Sequence, residues 1–114
     1  MEIVRSPIAL ATLETMAAAM FGELVKAVVD VESEIIVIDA ELHSDEEALL
    51  LSSGSHQAAL WGINLYPAEF GTPAFIEFDS MINVRPREGN RSRSVEDEVT
   101  RRRITDIVGR LVVA

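Results

Sequence analysis

Hydrophobic positions along the chain predict a helix near each end with several strands between them. Apolar residues recur at helical spacing over Leu10–Phe21, and Gly22 stands where such a helix would end. A second helical stripe runs over Val95–Leu111, and Ser94 is expected to open that helix. Acids there precede bases by four residues, which predicts surface ion pairs. These pairs are Asp97–Arg101, Glu98–Arg102 and Asp106–Arg110.

The middle of the chain is rich in residues that favour strands. Leu24–Val31 and Glu34–Leu42 predict two strands joined by a tight hairpin, and Leu60–Tyr66 predicts another that Pro67 ends. The clearest alternation lies in Phe75–Val84, which predicts one half-buried strand. Its mainly apolar side would face the helices and comprises Ile76, Phe78, Ser80, Ile82 and Val84. Its other side would carry Glu77, Asp79, Met81, Asn83 and Arg85.

Residues 44–54 leave two alternatives open. Ser44 and Glu47 stand at capping-box spacing, and Gly54 would close a short helix. The same stretch would also serve as a third strand over Glu47–Ser52. With either alternative, short connections between strands favour an antiparallel arrangement.

The order of elements predicts an α+β fold. We expect a two-layer domain with an antiparallel sheet of four or five strands and two helices on one face. Its length of 114 residues corresponds to a single domain over residues 1–114. Because so short a chain has a modest core, a homodimer through the open sheet face or an edge strand is compatible with the sequence.

The composition narrows the class of protein. Hydrophobic residues make up 48% and charged residues 25%, which is typical of a folded domain. The absence of cysteine excludes disulfides, thiolate metal sites and a cysteine nucleophile. No apolar run reaches the ~18 residues of a membrane span, and the first residues lack the pattern of a signal peptide. We therefore expect a cytoplasmic protein with no membrane partner.

Charge is distributed unevenly along the chain. The net charge is −9, and residues 1–84 hold 14 acids but only two bases, Arg5 and Lys26. Such an acidic body repels phosphate polyanions and argues against nucleic-acid binding. The last 30 residues hold eight arginines against five acids, so cationic side chains are concentrated there.

Two groups of polar residues are candidates for binding a ligand. Arginines and Gly89 lead into the expected helix at Ser94, where backbone N–H groups and guanidinium groups favour an anion. Arg91, Arg93 and Ser94 would hold this anion, although the alternative is pairing with nearby acids. The second group would form a polar wall or an interface, or would pair across strands, and comprises Asn64, Glu77, Asp79, Asn83 and Arg85.

A third group would suit a divalent metal. In an extended chain Glu41, His43 and Asp45 point to one face, and two carboxylates with an imidazole match a metal or acid–base site. A helix starting at Ser44 would break this alignment, and His56 is the only other histidine.

Several segments together resemble a family of short prokaryotic proteins catalogued only as a domain of unknown function. They are Lys26–Asp30, Glu41–Glu47, Leu60–Pro67, Asp79–Pro86 and Gly89–Arg93. The resemblance spans nearly the whole chain and implies a free-standing domain, but it supplies no activity, cofactor or site residue.

We therefore expect non-catalytic binding of a small anionic ligand or a protein partner. The alternative is a metal-dependent hydrolase acting on a phosphate-containing substrate, with Asp79 as base and Arg91 holding the phosphate. The sequence leaves open whether the protein is an enzyme and whether it uses a cofactor.

Overall fold

A computed structural model describes all residues 1–114 and contains a five-stranded antiparallel sheet. The strand order is β1-β4-β3-β5-β6, and β2 and β7 form a separate parallel pair. The predicted α+β class and antiparallel sheet are therefore confirmed. In chain order the elements are β1 Glu2–Val4, β2 Ile8–Ala9, α1 Leu10–Ala19, β3 Val25–Asp30, β4 Ile35–Ile38, α2 His43–Ser52, β5 Leu60–Leu65, β6 Ile76–Glu77, α3 Glu98–Leu111 and β7 Val112–Val113.

Helices cover both faces of this sheet. The larger apolar cluster joins α1 and α3 to one face, where Leu13 and Ile104 are fully buried. A smaller cluster of five buried residues lies beneath α2 on the other face, around Leu50. Strand alternation creates this division, because Val28 and Val29 of β3 point to opposite faces. The two helices on one face are as predicted, but the two-layer arrangement is incomplete because α2 adds a third layer.

The hairpin of β3 and β4 is confirmed, but its turn is longer than predicted. Asp30 pairs with Ile35, which leaves Val31–Glu34 as a four-residue connection. The Asp30 carboxylate accepts two backbone hydrogen bonds of 2.9 Å from within the turn, and Glu34 adopts a left-handed φ of 58°. Glu32–Ser33 lacks the glycine or asparagine that a two-residue turn prefers, so a longer turn capped by a carboxylate forms instead.

The predicted single strand over Phe75–Val84 is wrong. Only β6 pairs with β5, and the chain then forms a 3₁₀ turn at Met81–Asn83. Ile76 and Phe78 pack with the larger cluster, whereas Ile82 packs beneath α2. The chain therefore passes from one face of the sheet to the other after Phe78.

Gly62 of β5 makes this crossing possible. A Cβ at Gly62 would lie 2.5 Å from both Cβ and Oγ of Ser80 and 3.1 Å from Cγ1 of Ile82. The buried Ser80 side chain therefore occupies the space that a side chain at position 62 would fill. Its Oγ accepts a hydrogen bond of 3.3 Å from the Ile82 N–H, which starts the 3₁₀ turn.

The helical segments are confirmed with shifted boundaries. Gly22 follows α1 with a φ of 89°, and Gly54 follows α2 with a φ of 102°, as glycines after helices do. Residues 44–54 are therefore mainly helical rather than a strand. The Ser44–Glu47 capping box does not form, because α2 begins one residue earlier, after Leu42. No helix is both long enough and apolar enough to cross a membrane.

The last helix begins four residues later than the sequence predicts. Asp97 precedes α3, and its carboxylate accepts a hydrogen bond of 3.0 Å from the Thr100 N–H. None of the three predicted ion pairs within α3 forms. Arg110 instead binds Glu34 across the fold, at 2.9 Å. Side chains of α3 therefore reach other segments rather than one another.

Candidate functional site

A groove lies between α3 and residues 70–78. Its volume is about 820 Å³, which falls in the range of about 300–1,000 Å³ found for small-molecule sites. A second cavity beside Tyr66 has about 430 Å³. We call the first cavity the α3 groove; Phe70, Phe75 and Phe78 line one side, and Glu98, Arg101 and Arg102 line the other.

Aromatic rings form the apolar wall of the α3 groove. Phe70 and Phe75 meet edge to face, with ring centroids 5.2 Å apart and an interplanar angle of 84°. Thr72 places them, because its Oγ1 accepts a hydrogen bond of 3.2 Å from the Ala74 N–H and so starts a 3₁₀ turn. Phe75 is buried, whereas Phe70 and Phe78 are half-buried and present part of each ring to the groove.

The opposite wall carries positive charge. The Arg101 guanidinium lies 4.4 Å from the Phe78 ring centroid, and its buried Nε has no hydrogen-bond partner. Arg102 is exposed and makes no ion pair. Glu98 is the single acidic residue of the lining. The groove thus combines two arginines that lack a carboxylate partner with an aromatic wall.

Many polar groups of the loop predicted to bind an anion already form hydrogen bonds or ion pairs within the protein. Asp79 holds Arg93 at 2.6 Å, and the Ser94 carbonyl accepts a hydrogen bond of 2.7 Å from Asn90 Nδ2. The Arg91 backbone N–H donates to a carboxylate of the same loop at 2.8 Å. Because α3 begins four residues after Ser94, no helix N-terminus stands there. Of the predicted anion ligands Arg91, Arg93 and Ser94, the exposed Arg91 has a charged side chain without an ion pair.

Asn64, Glu77 and Asp79 do come together, on the α2 side of the sheet. Asn64 Nδ2 donates to Glu77 Oε1 at 2.8 Å and to the Asp79 carbonyl at 3.3 Å. The Tyr66 hydroxyl donates to the same Glu77 oxygen at 3.2 Å. Burial, followed by the charge of Glu77, raises the pKa of Tyr66. Asp79 is in turn bound to Arg93, and within this group the buried Asn64 Oδ1 is left without a hydrogen-bond partner.

Asn83 and Arg85 bind the backbone of β5 where β6 no longer pairs with it. Asn83 Oδ1 accepts the Gly62 N–H at 2.8 Å, and its Nδ2 donates to the Gly62 carbonyl at 2.9 Å. The side-chain amide thus replaces a neighbouring strand. Arg85 donates to the Leu60 carbonyl and lies 3.8 Å from the Trp61 ring centroid. Both side chains are buried and complete the sheet edge.

The predicted metal ligands are not gathered around one point. No group of three histidine or acidic side chains in the structure is placed to hold a metal ion. α2 begins at His43, so successive side chains rotate around a helix instead of alternating as in a strand. Glu41 and Asp45 are exposed while His43 is buried. His56 lies elsewhere, with Nδ1 3.4 Å from Glu32.

Beneath α2, His43 and Glu46 are buried against the sheet. His43 Nε2 donates to the Ile63 carbonyl at 2.8 Å, and burial lowers the pKa of His43. Glu46 is fully buried, and neither carboxyl oxygen has a hydrogen-bond partner. Burial raises the pKa of Glu46 to about 9. The nearby Ala40 backbone, which makes no hydrogen bond to the carboxyl group, and the charge of Lys26 lower this pKa by less than burial raises it. Both side chains are therefore neutral at pH 7.

The residues of the α3 groove were not among the predicted site residues. Phe70, Phe75 and Phe78 were the available signal, because three of the four phenylalanines of the chain fall within nine residues. Consecutive arginines at 101–103 were a second signal. Arg101 and Arg102 also stand four residues after acids, and this spacing predicted ion pairs within the helix instead of a binding site. Glu46 left no signal, since an acid in the first turn of a helix is common at the surface.

Comparison with known proteins gives a family without an assigned activity. A family model described as "Protein of unknown function (DUF5674)" matches residues 2–111. No curated protein and no solved structure matches the chain. The resemblance to a family of unknown function is thereby confirmed, and it covers nearly the whole chain.

Proposed function

The chain belongs to the family of unknown function DUF5674, which supplies no activity, and we propose from the α3 groove that it binds, without catalysis, an anion carried on an apolar body. The observation that carries this proposal is Arg101, which is stacked on Phe78 with a buried, unpartnered Nε. A stacked guanidinium loses little freedom when it binds an anion, and its planar fork suits a carboxylate, sulfonate or phosphate.

The ligand needs an apolar part because the other wall is aromatic. Phe70, Phe75 and Phe78 offer ring surface that burial against an apolar body would remove from water. Arg102 adds a second cationic group at the same wall. Glu98 bears the opposite charge and favours placing the anion toward Arg102, further along α3.

The lining supports binding rather than catalysis. It includes no histidine, cysteine, lysine or aspartate, and its one carboxylate, Glu98, is exposed to water. The Thr72 hydroxyl donates to the Glu69 carbonyl at 2.8 Å and lies 3.5 Å from the Glu69 carboxylate, so it is engaged within its own turn. The hydrolase alternative would use Asp79, which is bound by Arg93.

Titration with an anilinonaphthalene sulfonate dye tests this function, because the dye combines an aromatic body with one anionic group. We expect saturable binding to the native protein, and Arg102→Glu should weaken it about tenfold or more. Arg91→Glu is the matched control, since Arg91 is exposed but outside the groove. Equal binding by both variants and the parent would refute the proposal, provided that circular dichroism shows all three folded.

A further inference from the structure

β6 is the last strand of the sheet, and its outer edge borders the α3 groove. The Tyr66 N–H donates to the Phe75 carbonyl at 2.9 Å. In an antiparallel ladder the bonded residues alternate, so the N–H and C=O of Ile76 point away from β5. Phe78 stands two residues further on, just past the end of β6, and its backbone groups make no hydrogen bond. The outward backbone groups of Ile76 and Phe78 are therefore unpaired.

Beyond the end of β6, the chain pairs with the loop that precedes α3. The Ser80 N–H donates to the Arg93 carbonyl at 3.0 Å. At Ser80 the chain has already left the strand and lies over Gly62, so this bond does not extend the edge of β6. Arg93 covers only the position of Ser80 and leaves the part beside the groove unpaired.

We propose that the occupant of the α3 groove is an extended peptide segment of a partner protein, which adds to β6 as a sixth strand. This inference rests on the proposed function and names its ligand. Backbone hydrogen bonds to Ile76 and Phe78 supply affinity, and alternate side chains of the peptide enter the groove. Peptide addition explains unpaired backbone groups and the groove together, whereas a small anion uses only the groove.

The lining determines which peptide fits. Side chains directed into the groove are apolar where they meet Phe70 and Phe75, and one is a carboxylate that reaches Arg102. Side chains on the opposite face lie near Glu77, which is exposed and would repel an acid. The favoured pattern therefore alternates apolar and uncharged polar residues and ends in an acid.

A blocked peptide, Val-Thr-Ile-Thr-Glu, tests the mode of binding. We expect saturable binding in an NMR titration and slower hydrogen exchange at the Ile76 and Phe78 amides. Two N-methylated peptides provide the control, one modified at its first, third and fifth residues and the other at its second and fourth. Only one set of amides faces β6, so one methylated peptide should bind at least tenfold more weakly while the other binds as the parent. Equal affinities of the two, or unchanged exchange at both amides, would overturn strand addition.

Variants of the protein test whether the peptide uses the proposed anion site, and they keep strand addition and the proposed function distinguishable. Arg102→Glu should weaken peptide binding about tenfold or more, and Arg91→Glu should leave it unchanged. If the sulfonate dye binds in an Arg102-dependent manner but the peptide does not bind, strand addition fails and the anion site stands. If neither binds, both proposals fail.

Discussion

The two faces of the sheet differ in how they treat polar side chains. Beneath α2 and at the adjoining edge of β5, Asn83 and Arg85 bind backbone groups, and Glu46 is buried as a neutral acid. Along α3, Arg101 stacks on Phe78, and neither Arg101 nor Arg102 has a carboxylate partner. The first set of polar groups serves the fold, whereas the two arginines belong to the ligand site that we propose. Substitutions on the two sides should therefore change different observables.

The largest effect is expected from Glu46. Its pKa is about 9 in the folded protein against an ordinary 4.5, so between these values the folded state holds a proton that the unfolded state has lost. Stability must then fall as pH rises, by about 1.4 kcal/mol per pH unit. Because this slope flattens near the folded pKa, the parent should lose about 3 kcal/mol between pH 7 and 10 relative to Glu46→Gln, measured by urea unfolding.

This pH range separates Glu46 from His43. Because the pKa of His43 is lowered from 6.5, its proton affects stability only as pH falls below that value. Asp45→Asn provides the control, since Asp45 lies on the same first turn but is exposed. Parallel pH profiles for the parent and Glu46→Gln would show that the carboxyl is not held neutral beneath α2.

Gly62→Ala should cost about 3 kcal/mol of stability. The new methyl group would meet Ser80 at 2.5 Å, and Ser80 is fixed by its backbone bond to Arg93. Gly109→Ala is the matched control, because its Cβ would meet nothing within 4 Å and alanine favours a helix. Denaturation midpoints measure both changes, and a loss below about 1 kcal/mol for Gly62→Ala would contradict the tight crossing.

Asn83→Ala should destabilise the protein by about 2 kcal/mol. Removing the amide leaves the N–H and C=O of Gly62 without their partners at the buried edge of β5. Ser92→Ala serves as the comparison, because Ser92 is exposed in the same loop. Equal stability of these two variants would mean that water replaces the amide and that the edge is less well sealed.

The smallest change in stability is expected from Arg102→Ala, at most about 0.5 kcal/mol. Arg102 is exposed and unpaired, so the folded state loses little when it is removed. Dye affinity should fall nonetheless, which would complete the contrast with Asn83. A stability loss above about 1 kcal/mol would place Arg102 among the structural residues instead.

Periodicity was sufficient to predict the main elements of the fold. β3, β4, β5, α1 and α3 fall within segments whose hydrophobic patterns predicted them, and α2 begins one residue before the segment in which helix and strand were both left open. Each of these elements spans at least four residues, so its period is repeated before the chain turns. Periodicity failed at Phe75–Val84. Apolar and polar residues continue to alternate there after the chain has left β6 and crossed the sheet edge, so the alternation does not reveal where the strand ends.

Candidate binding residues were harder to predict, since availability depends on contacts between distant segments. Asn64 and Asn83 were among the candidate ligand residues, but each uses its side-chain amide for hydrogen bonds within the fold. Arg93 and Asp79 are 14 residues apart in sequence, and their pairing follows from the loop path rather than from local spacing. For the same reason, the groove between α3 and residues 70–78 could not be seen before both were placed.

The crossing between Phe78 and Ile82 has a mechanical consequence. The five residues from Phe78 to Ile82 connect the larger apolar cluster on one face of the sheet to the smaller cluster beneath α2. Because this short segment joins the two layers, neither can separate from the sheet alone. We therefore expect the slowest-exchanging amides of β5 and α2 to open in a single concerted event.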